Sequence, residues 1–134
     1  MKPTQFIVAA MAAAFTFAAS AEDAKLPPAS DKTGVTYATD IKPLLDANCV
    51  KCHSGDKPKA RIKLDTLDGI IAGNKRGKIV TPGDAANSVV VKAVAHLMAD
   101  HDGWMPPMPN KAGAKTLTPE EIGLVEAWIN QGAK

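Results

Sequence analysis

Apolar residues at helical spacing recur in four stretches of this chain, and polar, glycine- or proline-rich segments separate them. Residues 36–48, TYATDIKPLLDAN, place Ile41, Leu44 and Leu45 on one face, with Thr36 or Thr39 as cap. Pro43 fits such a helix only near its first turn. TLDGIIAG, residues 66–73, predicts a short helix stopped by Gly73. Residues 87–99 carry the stripe Val90, Val91, Val94, Leu97 and Met98 and predict a third helix. Thr118-Pro119-Glu120-Glu121 is a capping box with proline at the first helical position, and it opens a fourth helix. There Ile122, Leu124, Val125, Trp128 and Ile129 share a side, and Gly132 stands at the C-terminal cap. No stretch alternates as a half-buried strand does, so the expected class is all-α.

The connections carry their own signals. Residues 54–64 are polar and basic, and IVTPGD reads as a turn. HDGWMPPMPNKAGAKTL, residues 101–117, crowds prolines together and is not expected to be helical. EDAKLPPASDKTG, residues 22–34, reads as a flexible leader.

The N-terminus changes what the mature chain is. Lys2 precedes an uncharged run from Phe6 to Ala19, and Ala19-Ser20-Ala21 is a small-x-small cleavage pattern. The run falls short of the roughly 20 residues a membrane span needs. Residues 1–21 are therefore expected to be a signal peptide, 22–34 a leader and 35–134 the domain. The expected product is periplasmic, with no stable membrane insertion.

Cleavage would remove Phe6, Phe15 and Phe17, leaving Tyr37, Trp104 and Trp128 as the aromatic residues. A small domain poor in aromatic bulk usually needs a staple or a bound group. Charge is close to balanced, 16 Lys and Arg against 14 Asp and Glu. Nucleic-acid binding calls for a basic surplus, so it is not expected.

Both cysteines lie in CVKCH, residues 49–53. C-x-x-C-H is a covalent haem attachment pattern. Cys49 and Cys52 sit on one side of a helical turn, where each thiol can add to one haem vinyl group. His53 then lies beneath the ring and can ligate iron. A thioredoxin-like site needs a βαβ context that is missing here. A zinc site at Cys49, Cys52 and His53 lacks a well-spaced second pair, with His96 and His101 a weak offer. A disulfide is the bland alternative. Motif, export pattern and aromatic poverty agree on haem.

The sixth iron position decides function, because methionine closes it for electron transfer and an open position admits other ligands. Met98 belongs to an apolar stripe and reads as core. His96, opposite that stripe, reads as a solvated side chain. His101 lies in a loop and could reach the iron. Met105 and Met108 lie in WMPPMP, where prolines restrict the loop. Spacing alone does not separate those two methionines.

DIKPLLDANCVKCH, LDTLDGIIAGNKRGKIVTPGDAANSVV, MPP and LTPEEIGLVEAWINQGA follow in order over residues 36–133. This set resembles the class I cytochrome c fold, and most of all the planctomycete-type cytochrome c domain. The resemblance implies a small helical shell around one covalent haem c. It implies that the first and last helices cross near Trp128. It carries the methionine of M-P-P onto Met105, so the implied site is Cys49, Cys52, His53 and Met105, with His53 and Met105 on the iron. Ile62-Lys63-Leu64-Asp65 departs mildly from the family's Leu-x-Leu element, and the mitochondrial-type G-P-x-L is absent. No carbonyl is therefore assigned to orient His53, although a ligating histidine needs one. Lys57, Lys59, Arg61 and Lys63 form one basic cluster; Lys75, Arg76 and Lys78 form another. Each reads as a solvated loop or as a docking surface for acidic redox partner proteins. The expectation is a monomeric, non-enzymatic electron carrier. The alternative is a haem protein with an open sixth site, acting as a gas sensor or peroxidase-like subunit.

Overall fold

Thr36 starts the first helix. Its hydroxyl accepts the Thr39 N–H at 3.3 Å, which satisfies one of the donors a helix start leaves free. In this computed structural model, which describes residues 25–134, a π-helical turn, Tyr37–Ile41, runs straight into α1, Lys42–Asn48. Pro43 falls in the first turn of α1, where its missing N–H costs nothing. Ile41 and Leu45 are buried, and Leu44 packs at the core's edge. The predicted signal peptide and its cleavage site lie outside the described residues.

α2, Leu67–Ala72, is capped by the Thr66 hydroxyl and closed by Gly73 at φ 71°. Gly73 has a second reason to lack a side chain, since a Cβ there would meet the Gly77 carbonyl oxygen at 2.4 Å. α4, Pro119–Asn130, carries both halves of its capping box: Glu121 N–H to Thr118 Oγ1 at 3.2 Å, and Thr118 N–H to Glu121 Oε2 at 2.8 Å. The turn at Thr81-Pro82-Gly83-Asp84 is latched by buried Ser88. The Ser88 hydroxyl takes the Thr81 N–H at 2.9 Å and donates to the Asp84 carbonyl at 2.9 Å.

α4 packs on the π-helical turn and on α3. Tyr37 and Trp128 meet with ring centroids 6.1 Å apart, and Trp128 is wholly buried. The crossing of first and last helices is thus present, with Leu45 in the same core. One acceptor ties it together: the Lys134 carbonyl takes Tyr37 N–H at 2.7 Å and Trp128 Nε1–H at 3.0 Å. Among the described residues there is no strand, only an isolated bridge between Asn74 and Gly77. The protein is all-α, and no helix among the described residues is long and apolar enough to cross a membrane.

Two expectations change. The third helix, α3, spans Val89–Val94 rather than 87–99. His96 adopts φ 57°, Leu97 N–H reaches back to Lys92 O at 2.8 Å, and His96 N–H bonds Ala93 O at 3.2 Å. That is a Schellman stop, built on histidine where glycine is usual. Val90, Val91 and Val94 remain buried, while Leu97 and Met98 leave the helix half-buried. Residues 25–34, expected as a flexible leader, lie along α4. Ser30 N–H bonds Gly123 O at 2.9 Å, and Gln131 Nε2–H bonds Lys32 O at 2.7 Å. The segment supplies backbone acceptors and donors that composition does not reveal.

Candidate haem site

α1 ends at Asn48, and CVKCH continues its last turn. The Cys52 and His53 N–H groups both reach the Cys49 carbonyl, at 3.1 and 3.0 Å. The segment is then latched to the basic loop. Lys59 N–H bonds Cys52 O at 2.9 Å and Leu64 N–H bonds His53 O at 2.8 Å. His53 is 8% exposed, and its Nδ1 lies 3.1 Å from the Lys59 carbonyl oxygen. A carbonyl only accepts, so Nδ1 carries the proton and Nε2 keeps its lone pair for a metal. Burial holds the His53 pKa below its ordinary value, and the neutral ring is the form that ligates. The carbonyl left unassigned by the sequence is that of Lys59. It points inward because Ala60 and Arg61 adopt φ 53° and 56°. Such strain in non-glycine residues tends to gather at functional sites.

Cys49 and Cys52 are free and half-buried, with no disulfide. Burial, and then Cys52, push the Cys49 thiol up to about 11. It is a protonated thiol at neutral pH, unreactive without assistance. Among the described residues no three His, Cys, Asp or Glu side chains converge on a metal-sized point, so the zinc alternative lacks a geometry.

Two cavities, of about 280 and 150 Å³, meet at His53, Ala60, Leu64, Val90, Ala93 and Met105. The smaller holds Cys49 and Cys52 and is walled by Leu45, Val94, Pro106 and Leu117. The larger reaches the surface at exposed Arg76, Gly77 and Lys78. Free thiols, a buried histidine held through its Nδ1 and mostly aliphatic walls suit a haem bonded through Cys49 and Cys52.

The remaining candidates separate. Met105 lines both cavities. Met98 lines only the larger and packs where Gly103 leaves room. Met108 is 61% exposed and lines neither. His101 is exposed, its ring centroid 4.1 Å from that of Trp104. His96, expected in solvent, is half-buried: its ring stacks on Trp104 and its Nε2 lies 3.2 Å from the Met105 carbonyl. The sequence shows only a polar residue opposite an apolar stripe, because its partner is nine residues away in a loop. Lys57, Lys59, Arg61 and Lys63 are all exposed. Neither Arg61 nor Trp104 lines a cavity; Arg76 and Lys78 do.

Residues 49–109 match the family model described as Planctomycete cytochrome C. Over 123 aligned positions the chain is 28% identical to hydrazine synthase subunit alpha of Kuenenia stuttgartiensis, covering 75% of this chain and 15% of that protein. The solved structure of Kuenenia stuttgartiensis hydrazine synthase is similar with a TM-score of 0.51 and 25% identity, over 74% of this chain and 16% of that one. The chain therefore spans only a small part of these relatives. The family's group is one covalent haem c, which the paired thiols and His53 fit. Residues 49–109 of this chain thus match a planctomycete-type cytochrome c domain.

Proposed function

We propose that this protein is an exported monohaem electron carrier, with Cys49 and Cys52 bonded to the haem and His53 and Met105 on its iron. The observation that carries the reading is that, among the described histidines and methionines, His53 and Met105 alone line both cavities. Haem iron supplies a one-electron couple when bound. The chain's own part is to hold that couple still and dry. His53 is locked by the Lys59 carbonyl, and Met105 by the Ala93 carbonyl, which takes its N–H at 3.0 Å. Fixed ligands need little rearrangement as charge changes, and Leu64, Val90 and Ile79 keep the cavity apolar. The exposed basic rim at Arg76 and Lys78 offers an acidic redox partner a charged approach to the haem edge. The N-terminal run and Ala19-Ser20-Ala21 support export to the periplasm.

The partial likeness to a hydrazine synthase subunit supports a second reading, a haem domain that works with a larger enzyme. An open sixth site, as in a gas sensor or peroxidase-like subunit, is the outcome that would displace both. Spectra of the oxidised, reduced and carbon monoxide-treated protein separate them. The expected result is a c-type spectrum without a carbon monoxide response. The methionine–iron(III) charge-transfer band should vanish in Met105→Ala and persist in Met108→Ala. Ready carbon monoxide binding by the native protein would overturn the carrier reading.

A further inference from the structure

The Met105 backbone is held at both ends. Its N–H bonds the Ala93 carbonyl at 3.0 Å, and its carbonyl receives the His96 Nε2–H at 3.2 Å. The imidazole is itself fixed. It lies on the Trp104 indole, 4.9 Å between centroids and 6° from parallel, and Trp104 Nε1–H bonds the Met98 carbonyl at 3.0 Å. Met98 in turn lines the larger cavity. Ala93, which anchors one end of Met105, also accepts the His96 N–H that stops α3. One helix end therefore holds the loop at two points.

The stop itself does not need histidine. At φ 57° a glycine would close the same turn without Cβ strain. The backbone thus accepts a strained residue whose side chain reaches the Met105 carbonyl. A thioether is a neutral, weak ligand, and its retention depends on how well the loop holds it in place.

We propose that His96, seated on Trp104, is a positioning residue for the sixth iron ligand and keeps that position closed to outside ligands. This rests on the reading of Met105 as that ligand. The imidazole lines neither cavity; it acts through the Met105 backbone.

The test uses the haem-loaded protein with His96→Gly, His96→Gln and Trp104→Ala beside Met105→Ala. His96→Gly preserves the helix stop and deletes the donor. Its thermal midpoint should match or exceed the native value. Carbon monoxide binding to the ferrous form should quicken by about fivefold to tenfold, the worth of one hydrogen bond, and the charge-transfer band should weaken. His96→Gln, which restores a donor at similar reach, should recover the band. Trp104→Ala leaves the stop intact and should open the site as His96→Gly does, so the test survives if the glycine variant fails to fold. Native band and native carbon monoxide kinetics in both His96→Gly and Trp104→Ala would overturn the proposal and leave His96 as a helix stop alone. A native protein that binds carbon monoxide freely, or a band that survives in Met105→Ala, would instead overturn the reading of Met105, and this proposal with it.

Discussion

The His53 Nδ1 sits 3.1 Å from the Lys59 carbonyl oxygen, six residues along the chain. The contact is with backbone, so the lysine side chain is incidental to it. What matters is the left-handed pair Ala60 and Arg61, which turns that carbonyl inward. Asn74 Nδ2–H reinforces the turn through the Ala60 carbonyl at 3.0 Å.

Lys59→Ala should therefore leave the haem spectrum unchanged and shift stability by no more than about 0.5 kcal/mol. Ala60→Pro cannot adopt φ 53°, because proline is held near −65°. It should cost about 3 kcal/mol or more and alter the spectrum, since the Lys59 carbonyl swings away from His53. Equal spectra in the two variants would show that His53 needs no such orientation.

Gly123 lies where residues 25–34 cross α4, and a Cβ there would stand 2.6 Å from the Pro28 carbonyl oxygen. Gly123→Ala should destabilise by about 1–3 kcal/mol through overpacking. In a chain beginning at residue 32 the same change should cost almost nothing, because the opposing backbone is gone. Thermal unfolding of the four proteins tests both halves.

Glu126 is buried on α4, its Oε2 has no partner among the described residues, and burial raises its pKa. The folded state therefore keeps this proton to a higher pH than the unfolded chain, where Glu titrates near about 4. Stability falls as pH rises from that value through the raised one. Glu126→Gln should stabilise by about 1 kcal/mol at pH 7, and the gain should vanish toward acid pH. Parallel pH profiles of the two proteins would contradict it.

Trp128 fills the centre, and its Nε1–H bonds the Lys134 carbonyl that also holds Tyr37. Trp128→Phe removes both ring volume and that bond. It should cost about 2–3 kcal/mol, read as a lower denaturant midpoint with an unchanged slope.

Asp40 is held down to about 2 by the Lys32 ammonium first, then by the Thr36 N–H and the Thr39 hydroxyl. A depressed carboxylate contributes stability above its unfolded value, near about 4. That contribution fades as pH falls toward 2. Asp40→Asn should therefore flatten the acid limb of the stability profile and leave the limb above pH 7 as it was.

Sequence alone determined most of what is local. The capping box of α4, the Thr66 and Gly73 ends of α2, and the thiol pair beside His53 each depend on residues within a few positions of one another. Their chemistry is written in adjacent letters, and the all-α class follows from the spacing of apolar residues. The tertiary structure decided what depends on distant partners. α3 stops early because His96 turns left-handed, and nothing in the apolar stripe announces that. Residues 25–34 are held against α4 by the Ser30 N–H on the Gly123 carbonyl and by Gln131 on the Lys32 carbonyl, partners more than ninety residues away. Met105 and Met108 stand in the same proline-rich setting, and only folding puts one on the cavity and leaves the other in solvent. The carbonyl that orients His53 and the imidazole that holds Met105 are contacts of side chain to backbone. Any residue can supply such a carbonyl, so a sequence carries no letter for it.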